Sequence, residues 1–588
     1  MSDEVSEHVF SILWPGWQHN VQGGQGLSGF VDVVRFIYGA FMFTLEPRLA
    51  RILLVVAILA VYLPMLGGGF VWDDHLLVVG NQLTDSLANI PAMFQTDLWG
   101  ATPVPDPKPG YYRPLMLVDL ALTRAVGGLD PRLHHVHNLI WHGTAVVLLL
   151  MLLERITKDP IAATLGAAVF ALHPVQIEVV GFVSARNDPM AVAWLLAALL
   201  LLSQKAPSRK ALIGGALASA AAMLCKESVV FAPVLLAFAS RARWGGWGTR
   251  GAHGAVVCGF GVALAMRMLA GVGTPAQADW SHLMAITGPA SAFYLDKLIS
   301  PIEISPVIHF GWLPPVPWIN AGIALLLLTL LARFGGPLGR AGLAFAVLGL
   351  APAFAAVAHV GAVVDRYMYL PMVGVAWAVT GVAGRPGARS GVLVALVGMV
   401  GLSIVQGPIW KDDASLWEAA IERAPSGYAK GAFARWLEDE GKDGAAAHWY
   451  REAIVQPPRP FHESCYNITR IHLKRGIPKQ AIAVGEEALE AGCEPSAELV
   501  APLALAYALT GDWAKALQRS AKVDTDPTGK AILARLASQA AMGDVQPLKE
   551  ATSGPDGERL LAQVLLVLRR GGADVDGIQS ALNGDEAD

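Results

Sequence analysis

Eleven apolar stretches, broken by short polar or glycine- and proline-bearing turns, fill most of the first 410 residues. They lie near residues 51–69, 136–154, 161–182, 189–203, 211–224, 228–240, 254–271, 318–332, 341–358, 366–383 and 391–408. A membrane-crossing helix needs about 20 mostly apolar residues, so the pattern predicts about eleven spans. Residues 29–47 are also apolar but contain Asp32 and Arg35, which predicts an interfacial helix rather than a span. No cleavable signal sequence is apparent in residues 1–28.

Beyond residue 410 the pattern becomes that of a water-soluble helical domain. Gly441, Gly476 and Gly511 recur at a spacing of 35, each followed five residues later by Ala446, Ala481 or Ala516. Ala453 and Ala488 follow at twelve residues from the first two glycines, and Pro457 and Pro495 come after the second helices. A turn glycine followed by alanines where two helices cross closely is the pattern of tetratricopeptide repeats, which stack into a solenoid with a concave face. A further degenerate unit is expected around Gly543, and residues 571–588 read as a frayed acidic tail. The fold expected is all-α: a polytopic helix bundle (51–410) after an N-terminal segment (1–50), then an α-solenoid (411–570) and a flexible end (571–588).

Composition agrees. The 588 residues are 54% hydrophobic and 16% charged, as suits a polytopic membrane protein. Residues 411–588 hold 47 of the 92 Asp, Glu, Lys and Arg residues. A net charge of −4 argues against a nucleic-acid partner. The four cysteines are too few for a disulfide scaffold. Buried thiols are the expectation, with a Cys465–Cys493 bridge as the alternative.

Orientation follows from the loops. With the N-terminus cytoplasmic, the inner loops ERITKDP, QKAPSRK, RARWGGWGTR, ARFGGPLGR and GRPGARS hold twelve Lys and Arg, more than the longer outer loops. The C-terminal domain then lies outside. On that same outer face fall Asp73 and Asp74 in FVWDDH, His134, His135 and His137, and His173 and Glu178 in HPVQIEVV. Arg186 and Asp188 in SARNDP, Lys226 and Glu227 in LCKES, and Asp365 and Arg366 in DRYMYLP join them. Ionisable groups at membrane depth are costly and commonly line a cavity or pathway, although each taken singly also reads as an ordinary loop-end charge.

Adjacent carboxylates raise one another's pKa, which suits a general base. Guanidinium and ammonium groups suit a phosphate. Together with an apolar body they point to a lipid-phosphate donor. The aspartates and histidines match no strong metal signature; a divalent metal is compatible with the sequence but not demanded by it, and no other cofactor is required.

The succession FVWDD, YYRPL, HHVHNLIWH, FALHPVQIEVVGFVSARND, LCKES, DRYMYLP and then helical repeats resembles the transmembrane and tetratricopeptide-repeat O-mannosyltransferases of the GT-C glycosyltransferase superfamily. The likeness runs from about residue 51 to 545. It implies an inverting transferase that uses a polyprenyl-phosphate sugar, mannose or another hexose. The acceptor it implies is a Ser or Thr hydroxyl of an exported protein or peptide. By this match Asp73 is the base and Asp74 its partner, although the adjacent pair could exchange roles. Arg366 binds the donor phosphate, with Arg186 and Lys226 as further ligands. Glu178 and Glu227 orient those cations, and Asp188 and Tyr367 complete the support. His173, before Pro174, serves either the site or a helix kink. Three departures stand out: Asn187 after Arg186, a tail with fewer repeats, and an N-terminal 50 residues without counterpart. Two rival readings remain: the same body acting on a lipid or cell-wall glycan, and a non-catalytic repeat-bearing scaffold. The Ala- and Gly-rich composition suggests a bacterial inner membrane, with the repeats periplasmic.

Overall fold

Aspartate, serine or threonine caps the start of several long helices, often with proline in the first turn, where its missing N–H costs nothing. Asp130 accepts from the Arg132 amide (3.0 Å) ahead of Pro131–Thr157. Asp159 accepts from Ile161 and Ala162 (both 3.1 Å) ahead of Pro160–Leu172. Ser208 and Thr249 do the same for Arg209–Cys225 and Arg250–Leu269. The computed structural model describes residues 46–102, 110–234, 245–273, 280–302, 307–309, 318–456, 462–523, 528–554 and 556–583. The interfacial helix expected at 29–47 lies outside these apart from its last two residues, as do Pro457 and the end of the 228–240 stretch.

The described residues form two units. The first takes in those up to 302 together with 318–360 and 365–411. The chain is a multi-pass membrane protein, but the eleven-span expectation needs correction. By length and composition, six described helices can cross a membrane: Pro47–Gly67, Pro131–Thr157, Val183–Leu202, Arg250–Leu269, Gly336–His359 and Gly387–Trp410. A seventh appears if Pro160–Leu172 and Pro174–Gly181, bent by 56° at their junction, count as one. Several remaining stretches are helical but short, such as Trp318–Phe334 and Tyr369–Ala383. Two helices arise where loops were expected, Pro114–Gly127 and Trp280–Ile299. Helices Gly336–Val360 and Tyr369–Ala383 cross with their backbones nearly touching. A Cβ on Gly374 would sit 2.4 Å from the Gly342 carbonyl oxygen, so only glycine allows this approach.

The second unit is a run of paired helices. Gly427–Asp439 and Asp443–Ile454, His462–Lys474 and Pro478–Glu490, and Ala497–Leu509 and Trp513–Ser520 pair around Gly441, Gly476 and Gly511. These glycines have φ of +74°, +73° and +82°, the left-handed region that favours glycine at a helix end. Ala446, Ala481, Ala516, Ala453 and Ala488 are all fully buried. The pairing continues past the expected end. Lys530–Ala541 and Gln546–Ala551 turn at Gly543, and Gly557–Arg570 and Val575–Asn583 at Gly572. Residues 575–583 are therefore helical rather than frayed, because Val575 and Ile578 join the core of the last pairs. Residues 307–309 and 361–364 belong to this unit, with Ile308–His309 pairing antiparallel to Ala362–Val363.

The expectation of buried thiols fails in this unit. Cys465 and Cys493 are joined by a disulfide that closes a loop of 28 residues, while Cys225 and Cys258 are free. Loop-closure entropy puts the bridge at about 3–4 kcal/mol. Replacing Cys465 by Ser is expected to lower the denaturant midpoint of the second unit, while the membrane helices keep their circular dichroism.

Candidate active site

The turn after the first span separates the two aspartates. Asp74 is fully buried and accepts from the Val71 amide (3.2 Å), the Val183 amide (3.4 Å), and the Ser184 amide (2.7 Å) and hydroxyl (2.6 Å). It ties its own turn to the segment entering the Val183–Leu202 span. Burial pushes its carboxyl up to about 7, against hydrogen bonds that favour the anion. Asp73 is half-buried, and its carboxylate accepts no hydrogen bond among the described residues. Burial lifts it to about 6, and the positive charge of Arg366 holds it below what burial alone would give. The two are therefore not interchangeable: Asp74 is tied into the fold by four hydrogen bonds, whereas Asp73 accepts none among the described residues and feels the charge of Arg366.

Arg366, in the turn Asp365–Met368, is held by fully buried Glu178. One Glu178 oxygen accepts from the guanidinium and the other from the Arg366 amide (2.8 Å). Glu178 is delivered by the bend after Leu172, where His173 accepts from the Val175 amide and its Nε2 lies 3.3 Å from the Leu298 carbonyl. His173 stands at the bend and contacts the backbone of Val175 and Leu298. The guanidinium lies 5.2 Å from the Trp72 ring, 5.6 Å from Phe182 and 5.7 Å from Tyr367.

Two further ion pairs stand nearby. Lys226 Nζ bonds both oxygens of Asp188 at 2.6 Å and sits 5.5 Å from the centre of the Tyr367 ring. Arg113 bonds Glu227 through two nitrogens (2.5 and 3.1 Å) and lies over Tyr111. Lys226 feels the charges of both Arg113 and Arg366. Glu227 therefore orients Arg113, and Lys226 takes its orientation from Asp188. Arg113 was quoted within YYRPL without a role; its partner lies 114 residues away, a pairing no local pattern reveals.

Arg186 departs from expectation. Its Nε donates to Asn138 (2.7 Å), Nη1 to Asp119 (3.0 Å) and Thr123 (2.8 Å), and Nη2 to the His134 carbonyl (2.9 Å). It is wholly enclosed. Asp119 is shared with His137 (3.2 Å) and the Trp141 indole (3.1 Å). With its guanidinium committed to this internal network, Arg186 is a structural tie rather than a phosphate ligand. Among the described residues no three His, Cys, Asp or Glu side chains converge as a metal site.

An apolar, largely helical unit thus brings one carboxylate, three paired cations and two phenol rings into one neighbourhood around Arg366. Over part of its length the chain is distantly similar to several proteins named protein O-mannosyl-transferase. It is 28% identical over 176 residues to Protein O-mannosyl-transferase Tmtc1 of Drosophila melanogaster, covering 30% of this chain and 20% of that one. It is 28% identical over 186 residues to human Protein O-mannosyl-transferase TMTC3, covering 31% and 20%. To Drosophila Tmtc2 it is 32% identical over 186 residues, covering 30% and 20%. The chain thus spans about a fifth of the length of the curated relatives it matches. No family model matches it, and no solved structure does.

Proposed function

We propose that the chain is an inverting glycosyltransferase that moves a hexose from a polyprenyl-phosphate donor to a Ser or Thr hydroxyl of an exported protein. The observation that carries this reading is the Asp73 carboxylate, without a hydrogen-bond donor among the described residues and electrostatically coupled to Arg366. The acceptor oxygen attacks the anomeric carbon and its proton passes to Asp73. The carbon–oxygen bond to phosphate breaks on the opposite face, and polyprenyl phosphate departs. Charge on the leaving phosphate rises during this step, and Arg366 is positioned by Glu178 to meet it. Lys226 and Arg113 extend the positive field, each kept in place by its own carboxylate. The relatives' printed names make mannose the first sugar to test.

The Cys465–Cys493 bridge supports an oxidising compartment for the tail, in agreement with the Lys and Arg distribution that put the C-terminal domain outside. The relatives reported above come from animals, so the bacterial inner membrane rests on composition alone. The repeated hairpins fit tetratricopeptide units, and we assign them the binding of the acceptor protein.

The pH dependence tests the base. Asp73 must be ionised to accept a proton, so kcat/KM for polyprenyl-phosphate mannose is expected to fall as pH drops through about 6. A profile flat from pH 5 to 8 would exclude Asp73 as the base.

A further inference from the structure

Trp72 occupies an unusual backbone position. Its φ is +52°, a region that L-residues seldom adopt and that is a genuine outlier for a bulky side chain. The turn around it is closed twice, by the Asp74 amide donating to the Val71 carbonyl (3.0 Å) and by the Asp74 carboxylate accepting from the Val71 amide (3.2 Å). Backbone strain of this sort persists only where surrounding contacts over-determine it, and it gathers at working sites. Here those contacts are the four hydrogen bonds to Asp74 that also reach Val183 and Ser184.

The Trp72 ring stacks on Phe182, with centroids 5.2 Å apart and planes 11° apart, and Phe182 in turn stacks on Trp410 at 5.5 Å. The Arg366 guanidinium lies 5.2 Å from the Trp72 ring centre. An aromatic ring attracts a guanidinium lying over its face. Trp72 therefore precedes Asp73 in the chain, forms part of the strained turn that carries both aspartates, and contacts Arg366 through its ring. Glu178 supplies the other hold on Arg366. Glu178 is carried by Ile177–Gly181, which ends at Phe182.

We propose that Trp72 is a positioning residue that sets the spacing between Asp73 and Arg366: its left-handed backbone aims the carboxylate, and its ring, backed by Phe182, fixes the guanidinium. This rests on the glycosyltransferase reading above. The ring acts through its π face, so phenylalanine can serve at this position and an aliphatic side chain of similar bulk cannot. Loss of the π face removes the nearest of the three rings around the guanidinium, and Arg366, still bonded to Glu178, shifts toward Phe182 and Tyr367 and away from Asp73. The carboxylate then loses the charge that held its proton affinity down, and the acid limb of the rate profile moves to higher pH.

The full chain in lipid vesicles, as wild type, Trp72→Phe, Trp72→Leu and Asp73→Asn, tests this. Two quantities are measured: the pH profile of polyprenyl-phosphate mannose consumption, and the binding of polyprenyl monophosphate alone. Trp72→Phe is expected to stay within about threefold of wild type in both. Trp72→Leu is expected to bind the monophosphate about tenfold more weakly and to shift its acid limb upward. Its thermal unfolding is expected to stay near that of Trp72→Phe, because leucine still packs on Phe182. A Trp72→Leu protein with wild-type lipid binding and an unmoved acid limb overturns the proposal, as does a Trp72→Phe protein as impaired as Trp72→Leu. The underlying reading fails separately, if wild type consumes no donor or Asp73→Asn consumes it at the wild-type rate.

Discussion

Asp73→Asn is expected to abolish the proposed sugar transfer while the protein stays folded and still binds polyprenyl phosphate. The expected loss is about two to four orders of magnitude, the usual consequence of removing a general base. The fold is expected to survive because the half-buried Asp73 side chain accepts no hydrogen bond among the described residues. The neighbouring substitution behaves differently. An amide at Asp74 would turn an NH2 group toward the amides of Val71, Val183 and Ser184, so Asp74→Asn costs stability before it costs chemistry. Comparing the two variants by donor consumption and by thermal unfolding separates a base from a fold-holding carboxylate. Equal loss of activity in two equally stable variants would contradict this division.

Two arginines, Arg366 half-buried and Arg186 fully enclosed, give the second large effect, and they fail in opposite ways. Arg366→Gln removes the charge expected to meet the leaving phosphate, for an expected loss of about 10²–10³ in kcat. Arg186→Met leaves buried Asp119 with only His137 and Trp141, and takes one hydrogen-bond partner each from Asn138 and Thr123. Breaking a buried ion pair from one side costs about 3–5 kcal/mol, so this variant is expected to unfold at lower temperature or to accumulate poorly. Measured together, yield and melting temperature report on Arg186, and kcat at constant yield reports on Arg366. An Arg186→Met protein with wild-type stability and weakened phosphate binding would restore the role first expected of it.

What could be read in advance followed from periodicity and from sidedness. The glycines at 441, 476 and 511 announced the helical hairpins, because a left-handed turn between close-packed helices leaves a mark at fixed spacing. The convergence of Asp73, Glu178, Lys226 and Arg366 followed from placing loop ends on one side of the membrane. Pairings across long sequence separations were not legible: Glu178 with Arg366 is 188 residues apart, and Arg113 with Glu227 is 114. The distinct fates of Asp73 and Asp74 depend on where residues 183–184 fold back, which adjacent identical residues cannot signal. Trp72 gave no sign, since a positive φ at tryptophan has no sequence pattern. Among the described residues fewer helices than the eleven expected are long and apolar enough to cross, because Pro160–Gly181 is bent and several stretches are shorter than a bilayer requires. The helix Pro114–Gly127 was hidden by Asp119 and Arg124 in an otherwise apolar run; Asp119 is the residue that pairs with Arg186.

The central claim is that a carboxylate and a guanidinium from segments nearly 300 residues apart serve one reaction. A double-mutant cycle of Asp73→Asn and Arg366→Gln, read as kcat/KM for polyprenyl-phosphate mannose, tests it most directly. Groups that act as a unit are strongly non-additive, so the double variant is predicted to be scarcely worse than the poorer single one. Losses that multiply in full, or a single variant with wild-type transfer, would contradict the account.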